Sequence, residues 1–129
     1  MKFIGLDAGS VSVKLVVLDE KGSKTQGFYA RHKGHPLKVS LELLETVVSG
    51  NVQQRGSETP GSDQFSLSVT GSSGRWIANA LGIGFTNEVI AQTYATRKLS
   101  PSTKTIIELG GEDSKLIVFG EKGIKDFSM

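Results

Sequence analysis

The chain has no cysteine, so no disulfide framework and no thiolate-ligated metal or iron–sulfur centre can be built from its own residues. No apolar run approaches the roughly 18 residues needed to span a bilayer, and the N-terminus reads as a strand, not a signal peptide. With thiols and spans both missing, a cytoplasmic protein that does not meet the membrane is expected. Strong charge of either sign is missing too. The formal net charge is +2 with basic residues scattered along the chain, which argues against a nucleic-acid surface. No glycine fingerprint opens a helix after the first apolar run, and no Gly-Lys-Ser or Gly-Lys-Thr occurs, which excludes Rossmann and P-loop readings. At 129 residues the chain is one domain, or one lobe of something larger.

What is present in quantity is glycine, 16 residues clustered at the ends of apolar runs, the pattern of short strands joined by tight turns. The stretch from Phe3 to Leu18 organises the rest. An apolar run climbs to one acid, Asp7, a small turn follows at Ala8-Gly9-Ser10, and the chain returns through alternating residues. The turn carries almost no side chain, so its N–H groups can approach an anion, and Ser10, Ser12 and Lys14 add hydroxyls and a cation. A carboxylate beside a phosphate cradle makes sense with Mg²⁺ between them. An ordinary hairpin with Asp and Gly as turn formers explains the same residues, and both readings stand at this point.

In chain order, 2–8 and 11–19 are strands, Glu20–Ser23 is a hairpin turn, and 24–32 is a third strand with Phe28 and Tyr29 as packing residues. His32 and His35 flank Gly34 and read as a loop with two solvated histidines rather than a metal site. Pro36 opens a helix over 36–49, with Leu37, Leu41, Leu44 and Val48 as its core stripe, widened by Leu43 and Val47. Residues 51–64 are a polar loop, and Phe65, Leu67 and Val69 mark a fourth strand. It runs into Thr70–Arg75, a Gly/Ser loop before a short helix, where Arg75 either meets an anion or is simply exposed. Thr86 or Asn87 caps a helix over 88–98, and 104–109 is a β-branched run suited to a buried parallel strand. That strand repeats the opening device: an acid, Glu108, then Gly110-Gly111, then a returning strand.

Two copies of one device resemble the two phosphate motifs of the actin, sugar-kinase and heat-shock-70 ATPase superfamily. Residues 4–22 are similar to the first and 106–119 to the second, where Glu108 replaces the usual Asp; Asn87–Ala91 resembles the intervening helix. Four segments narrow the resemblance to the CoA-substrate-specific enzyme activases, the activator ATPases of 2-hydroxyacyl-CoA dehydratases and benzoyl-CoA reductases. They are Asp7–Lys14, Arg31–Pro36, Val69–Arg75 and Asn87–Lys115, the most specific part being Glu108–Lys115.

The resemblance implies a ribonuclease-H-like α/β lobe, a mixed five-stranded sheet with helices packed on it. In it 65–70 and 104–109 lie parallel to the first strand and Asp7 and Glu108 converge at one sheet edge. It implies ATP and Mg²⁺ as cofactors, with Asp7, Glu88 and Glu108 catalytic and Asp7 and Glu108 on the metal. Gly9, Ser10, Ser12 and Lys14 would meet the phosphates from one side, and Gly110, Gly111 and Glu112 from the other. The activity implied is ATP hydrolysis coupled to low-potential electron transfer to a CoA-ester dehydratase or reductase component. The parent protein would be a homodimer carrying a [4Fe–4S] cluster whose ligands lie outside this chain. Residues 1–129 are then the N-terminal lobe of a longer protein, inactive alone. A sugar-kinase lobe, or a non-catalytic lobe that binds nucleotide or a partner, are the alternatives.

Overall fold

The structure, a computed structural model, describes residues 1–53 and 64–129, without the side chains of 51–53. Of the loop expected over 51–64, residues 54–63 lie outside the described residues, and 51–53 continue the preceding helix instead. The chain forms two compact units, Met1–Phe85 and Thr86–Met129.

In the first unit, β1 (Lys2–Ala8), β2 (Ser12–Leu18) and β3 (Lys24–Arg31) form the expected antiparallel meander. Asp19 closes the β2–β3 turn: its Oδ1 accepts from the N–H groups of Lys21 and Ser23, both at 2.9 Å, while Gly22 takes a φ of 78°. β4 (Phe65–Thr70) adds to β1 in parallel, as the sequence predicts, giving the order β3-β2-β1-β4. A parallel neighbour needs a crossover, and α1 (Pro36–Gln53) supplies it. Strand alternation sorts the sheet into two faces. Ile4, Leu6 and Ala8 of β1 and Val13, Leu15 and Val17 of β2 point one way into the core, with Val47 of α1 and Ile77 and Ala78 of α2 (Gly74–Leu81). The opposite face carries a polar row across the strands, Tyr29, Lys14, Asp7 and Thr70 in register.

α1 is rotated from the expected stripe. Leu41 and Val48 are exposed; Val47 is buried as expected, and Ser40 is buried where a polar residue was not expected. Ser40 can go inward because its hydroxyl donates to the Pro36 carbonyl at 2.7 Å, so no polar group is left unpaired. The helix also runs through Gly50, where an ending was expected. In β3, Phe28 packs on the core but Tyr29 is exposed, because neighbours on a strand face opposite ways.

The second unit has α3 (Glu88–Leu99) and β5 (Thr105–Leu109), β6 (Ser114–Gly120) and β7 (Gly123–Ser128). Asn87 is the cap: its side chain accepts from the Val89 N–H at 2.9 Å. The expected five-stranded sheet is not formed. β5 lies in a separate three-stranded antiparallel sheet, ordered β5-β6-β7, and Ile107 and Leu109 are exposed rather than buried. A β-branched run pairs as readily with the strand returning from its own turn as with a distant parallel neighbour, and the β5–β6 turn is short. Among the described residues no helix is long and apolar enough to cross a membrane.

Candidate functional site

In the first unit the candidate residues gather where β1 ends. The turn after Ala8 is closed by the Gly9 N–H donating to the Ser12 carbonyl at 2.9 Å. From the β4–α2 loop, the Ser73 N–H donates to the Ala8 carbonyl at 2.9 Å. Gly71 lies beside them with a φ of 102°, where a Cβ would sit 2.6 Å from the Asp7 Oδ1. The loop can therefore close over the end of β1 only with a glycine there.

The two oxygens of Asp7 differ. Oδ2 receives the Lys14 ammonium at 3.3 Å in a half-exposed pair, the cross-strand neighbour across β1 and β2. Oδ1 is buried and has no hydrogen-bond partner among the described residues, and neither has the hydroxyl of Thr70, its register partner on β4. Buried oxygens without partners are costly, and two side by side at a strand end mark a place where a cation or water belongs. Ser10 lies half-buried in the turn, whereas Ser12 is buried at the start of β2.

In the second unit, Lys115 of β6 gathers two of the predicted acids. Its ammonium lies 2.5 Å from Glu88 at the start of α3 and 3.2 Å from Glu108, its cross-strand partner on β5. Burial pulls the Lys115 pKa down, but hydrogen bonds and attraction from Glu88 and Glu108 outweigh it and raise the value above that of an ordinary lysine. The device keeps two carboxylates close without mutual repulsion. The β5–β6 turn is closed by the Gly110 N–H donating to the Asp113 carbonyl at 2.8 Å, and Gly111 and Glu112 are exposed at its tip.

The structure thus brings together Asp7, Gly9, Ser10, Ser12 and Lys14 in one unit, and Glu88, Glu108, Gly110, Gly111 and Glu112 in the other. Among the described residues no group of three or more His, Cys, Asp or Glu forms a metal cage. An Mg²⁺ at Asp7 would therefore draw on few protein ligands and complete its shell with phosphate oxygens and water, its usual habit.

Three participants escape the sequence reading. Thr70 and Gly71 complete the Asp7 corner, and Lys115 joins the two glutamates. The signals for them were the placement of Thr70-Gly71 directly after a strand, in a Gly/Ser loop, and the position of Lys115 at the end of the Glu108–Lys115 segment that carries the resemblance. The pair of solvated histidines is also corrected. His35 is exposed, but His32 is buried, with its ring Nε2 3.0 Å from the Gly9 carbonyl. Arg75 stacks its guanidinium 4.5 Å from the centroid of the Phe85 ring, so a cation–π contact holds it.

No family model matches the chain. It is 32% identical over 127 residues to the uncharacterized protein YjiL of Escherichia coli (strain K12), covering 98% of this chain and 45% of that protein. Among solved structures it is similar to component A of the (R)-2-hydroxyglutaryl-CoA dehydratase of Acidaminococcus fermentans. There the TM-score is 0.70 at 16% identity, over 98% of this chain and 46% of the other. It is also similar to the activator of the 2-hydroxyisocaproyl-CoA dehydratase of Clostridium difficile, solved with bound ADPNP. There the TM-score is 0.71 at 20% identity, over 99% of this chain and 45% of the other. The likeness shows the fold, the ribonuclease-H-like α/β class that the resemblance implies, though without the expected five-stranded sheet. The chain spans about half the length of the proteins it matches.

Proposed function

We propose that the chain is the ATP-binding lobe of an activator ATPase, a Mg-dependent ATP hydrolase coupled to low-potential electron transfer to a CoA-ester dehydratase or reductase component. The observation that carries this reading is the buried Oδ1 of Asp7, without a hydrogen-bond partner among the described residues, at a strand end beside a turn of small residues and sealed by a glycine loop. A hydrogen-bonded structural aspartate would have both oxygens satisfied. Likeness of fold to two dehydratase activators, one holding ADPNP, supports the same reading.

Asp7 and Glu108 are the residues assigned to Mg²⁺, and the ion, when bound, neutralises phosphate charge. Gly9 and Ser10 offer backbone N–H groups and a hydroxyl to the phosphates, with Ser12 behind them and Lys14 supplying positive charge. Gly110, Gly111 and Glu112 are assigned to the phosphates as the second turn. Glu88 is assigned to orient the attacking water and take its proton, and Lys115 holds it beside Glu108. An iron–sulfur cluster does not fit this chain, which has no cysteine to bind it. In this reading its ligands, and the homodimer it bridges, belong to the rest of a longer protein.

The test is phosphate release by the full-length protein. Asp7→Asn should lower kcat on the order of 100-fold or more with the far-UV signal unchanged. Unchanged turnover would remove Asp7 from the chemistry. Phosphate transfer that needs a sugar acceptor would make the protein a kinase instead.

A further inference from the structure

We infer that His32 is a positioning residue of the Gly9–Ser10 turn, its ring fixing the Gly9 carbonyl inward so that the Ser10 N–H is presented outward to a phosphate. The inference rests on the nucleotide reading above. Lys33 and Gly34 both take left-handed conformations, with φ of 48° and 84°, and fold the chain back on the ring. The Gly34 N–H then donates to the His32 Nδ1 at 3.1 Å. A nitrogen that accepts carries no proton, so the neutral ring bears its hydrogen on Nε2, which faces the Gly9 carbonyl at 3.0 Å.

The backbone of His32 fastens the same turn, its N–H donating to the Val11 carbonyl at 3.1 Å. The Ser73 hydroxyl reaches the Gly9 oxygen only at 3.5 Å, which leaves His32 as the main donor. In a planar trans peptide the C=O and the following N–H point in opposite directions. Holding the Gly9 oxygen against His32 therefore aims the Ser10 N–H the other way, and among the described residues that N–H donates to no protein group. A preset donor costs no reorganisation when an anion arrives.

The experiment is calorimetry of the full-length protein with Mg-ATP, for the wild type, His32→Phe and His32→Gln, alongside nitrogen NMR of the ring. Glutamine can place an amide N–H where Nε2–H stood. His32→Phe should weaken binding about tenfold and shift the Ser10 amide resonance, while His32→Gln stays within about threefold of wild type. The ring should report a neutral Nε2–H tautomer. A merely structural histidine would show no rescue by glutamine. Wild-type affinity in folded His32→Phe, or loss in folded His32→Gln, overturns the inference alone, and the glutamine variant decides if the phenylalanine variant does not fold. No Mg-ATP binding by the wild type overturns the nucleotide reading and this inference together.

Discussion

Gly71 packs its bare Cα against the carboxylate of Asp7: a Cβ there would lie 2.6 Å from Oδ1 and 2.5 Å from the Ala8 carbonyl carbon. One contact is rigid backbone, so the strand end cannot yield as a flexible side chain would. The φ of 102° adds strain for any L side chain. Gly71→Ala is predicted to destabilise the protein by on the order of 3 kcal/mol and to displace Asp7. Urea unfolding reads the first effect. A loss below about 1 kcal/mol would show that the loop relaxes away and that Gly71 does not constrain the site.

Ser40 tests the rotated face of α1. Its side chain is fully buried, yet its hydroxyl is satisfied within the helix by Pro36. Ser40→Ala removes donor and cavity-sized bulk together and should change stability by less than about 1 kcal/mol. Ser40→Leu forces a large side chain into a packed interface and should cost about 1–3 kcal/mol. Equal tolerance of both would place Ser40 at the surface.

The Asn87 cap is tested by Asn87→Ala, predicted to cost about 1 kcal/mol. Among the described residues the side chain accepts only from the Val89 N–H, so Asn87→Asp and Asn87→Ser should retain most of the stability. Amide exchange at Val89 should accelerate in the alanine variant. Unchanged exchange there would assign the start of α3 to packing rather than to the cap.

Local chemistry made the hairpins and the Asn87 helix start legible, because turn residues and caps act over a few neighbours, whereas the parallel fourth strand was legible only through the family resemblance. An acid closing an apolar run before a glycine turn likewise pointed to Asp7. What stayed hidden depends on distant partners. The apolar residues on α1 fit two stripes one residue apart, and only a serine satisfied by its own helix decides between them. The β-branched run of β5 carries no information about whether it pairs with β6 or with a parallel neighbour. His32 meets Gly9 across 23 residues, and Lys115 meets Glu88 across 27, separations no sequence window spans.

Lys115 carries the last prediction, in which pH supplies the control. Its side chain is 8% exposed and lies between Glu88 and Glu108, each about a quarter to a third exposed. Lys115→Met keeps the aliphatic stem and deletes the charge, leaving two carboxylates facing each other. Because both glutamates retain contact with water, the loss is set below that of a fully buried pair, at on the order of 2 kcal/mol near neutral pH. The lysine pKa is raised above its ordinary 10.5 on folding, so the native state holds this proton more tightly than the unfolded chain does. The stabilisation is therefore complete below pH 10.5 and lost as pH climbs through the higher native value. Urea titrations of wild type and Lys115→Met at pH 8 and pH 9 should give the same difference, and the gap should narrow above 10.5. A negligible difference at pH 8 would mean that the stem, which methionine keeps, and not the ammonium, holds β6 to its neighbours, and that the two glutamates do not depend on Lys115 for their proximity.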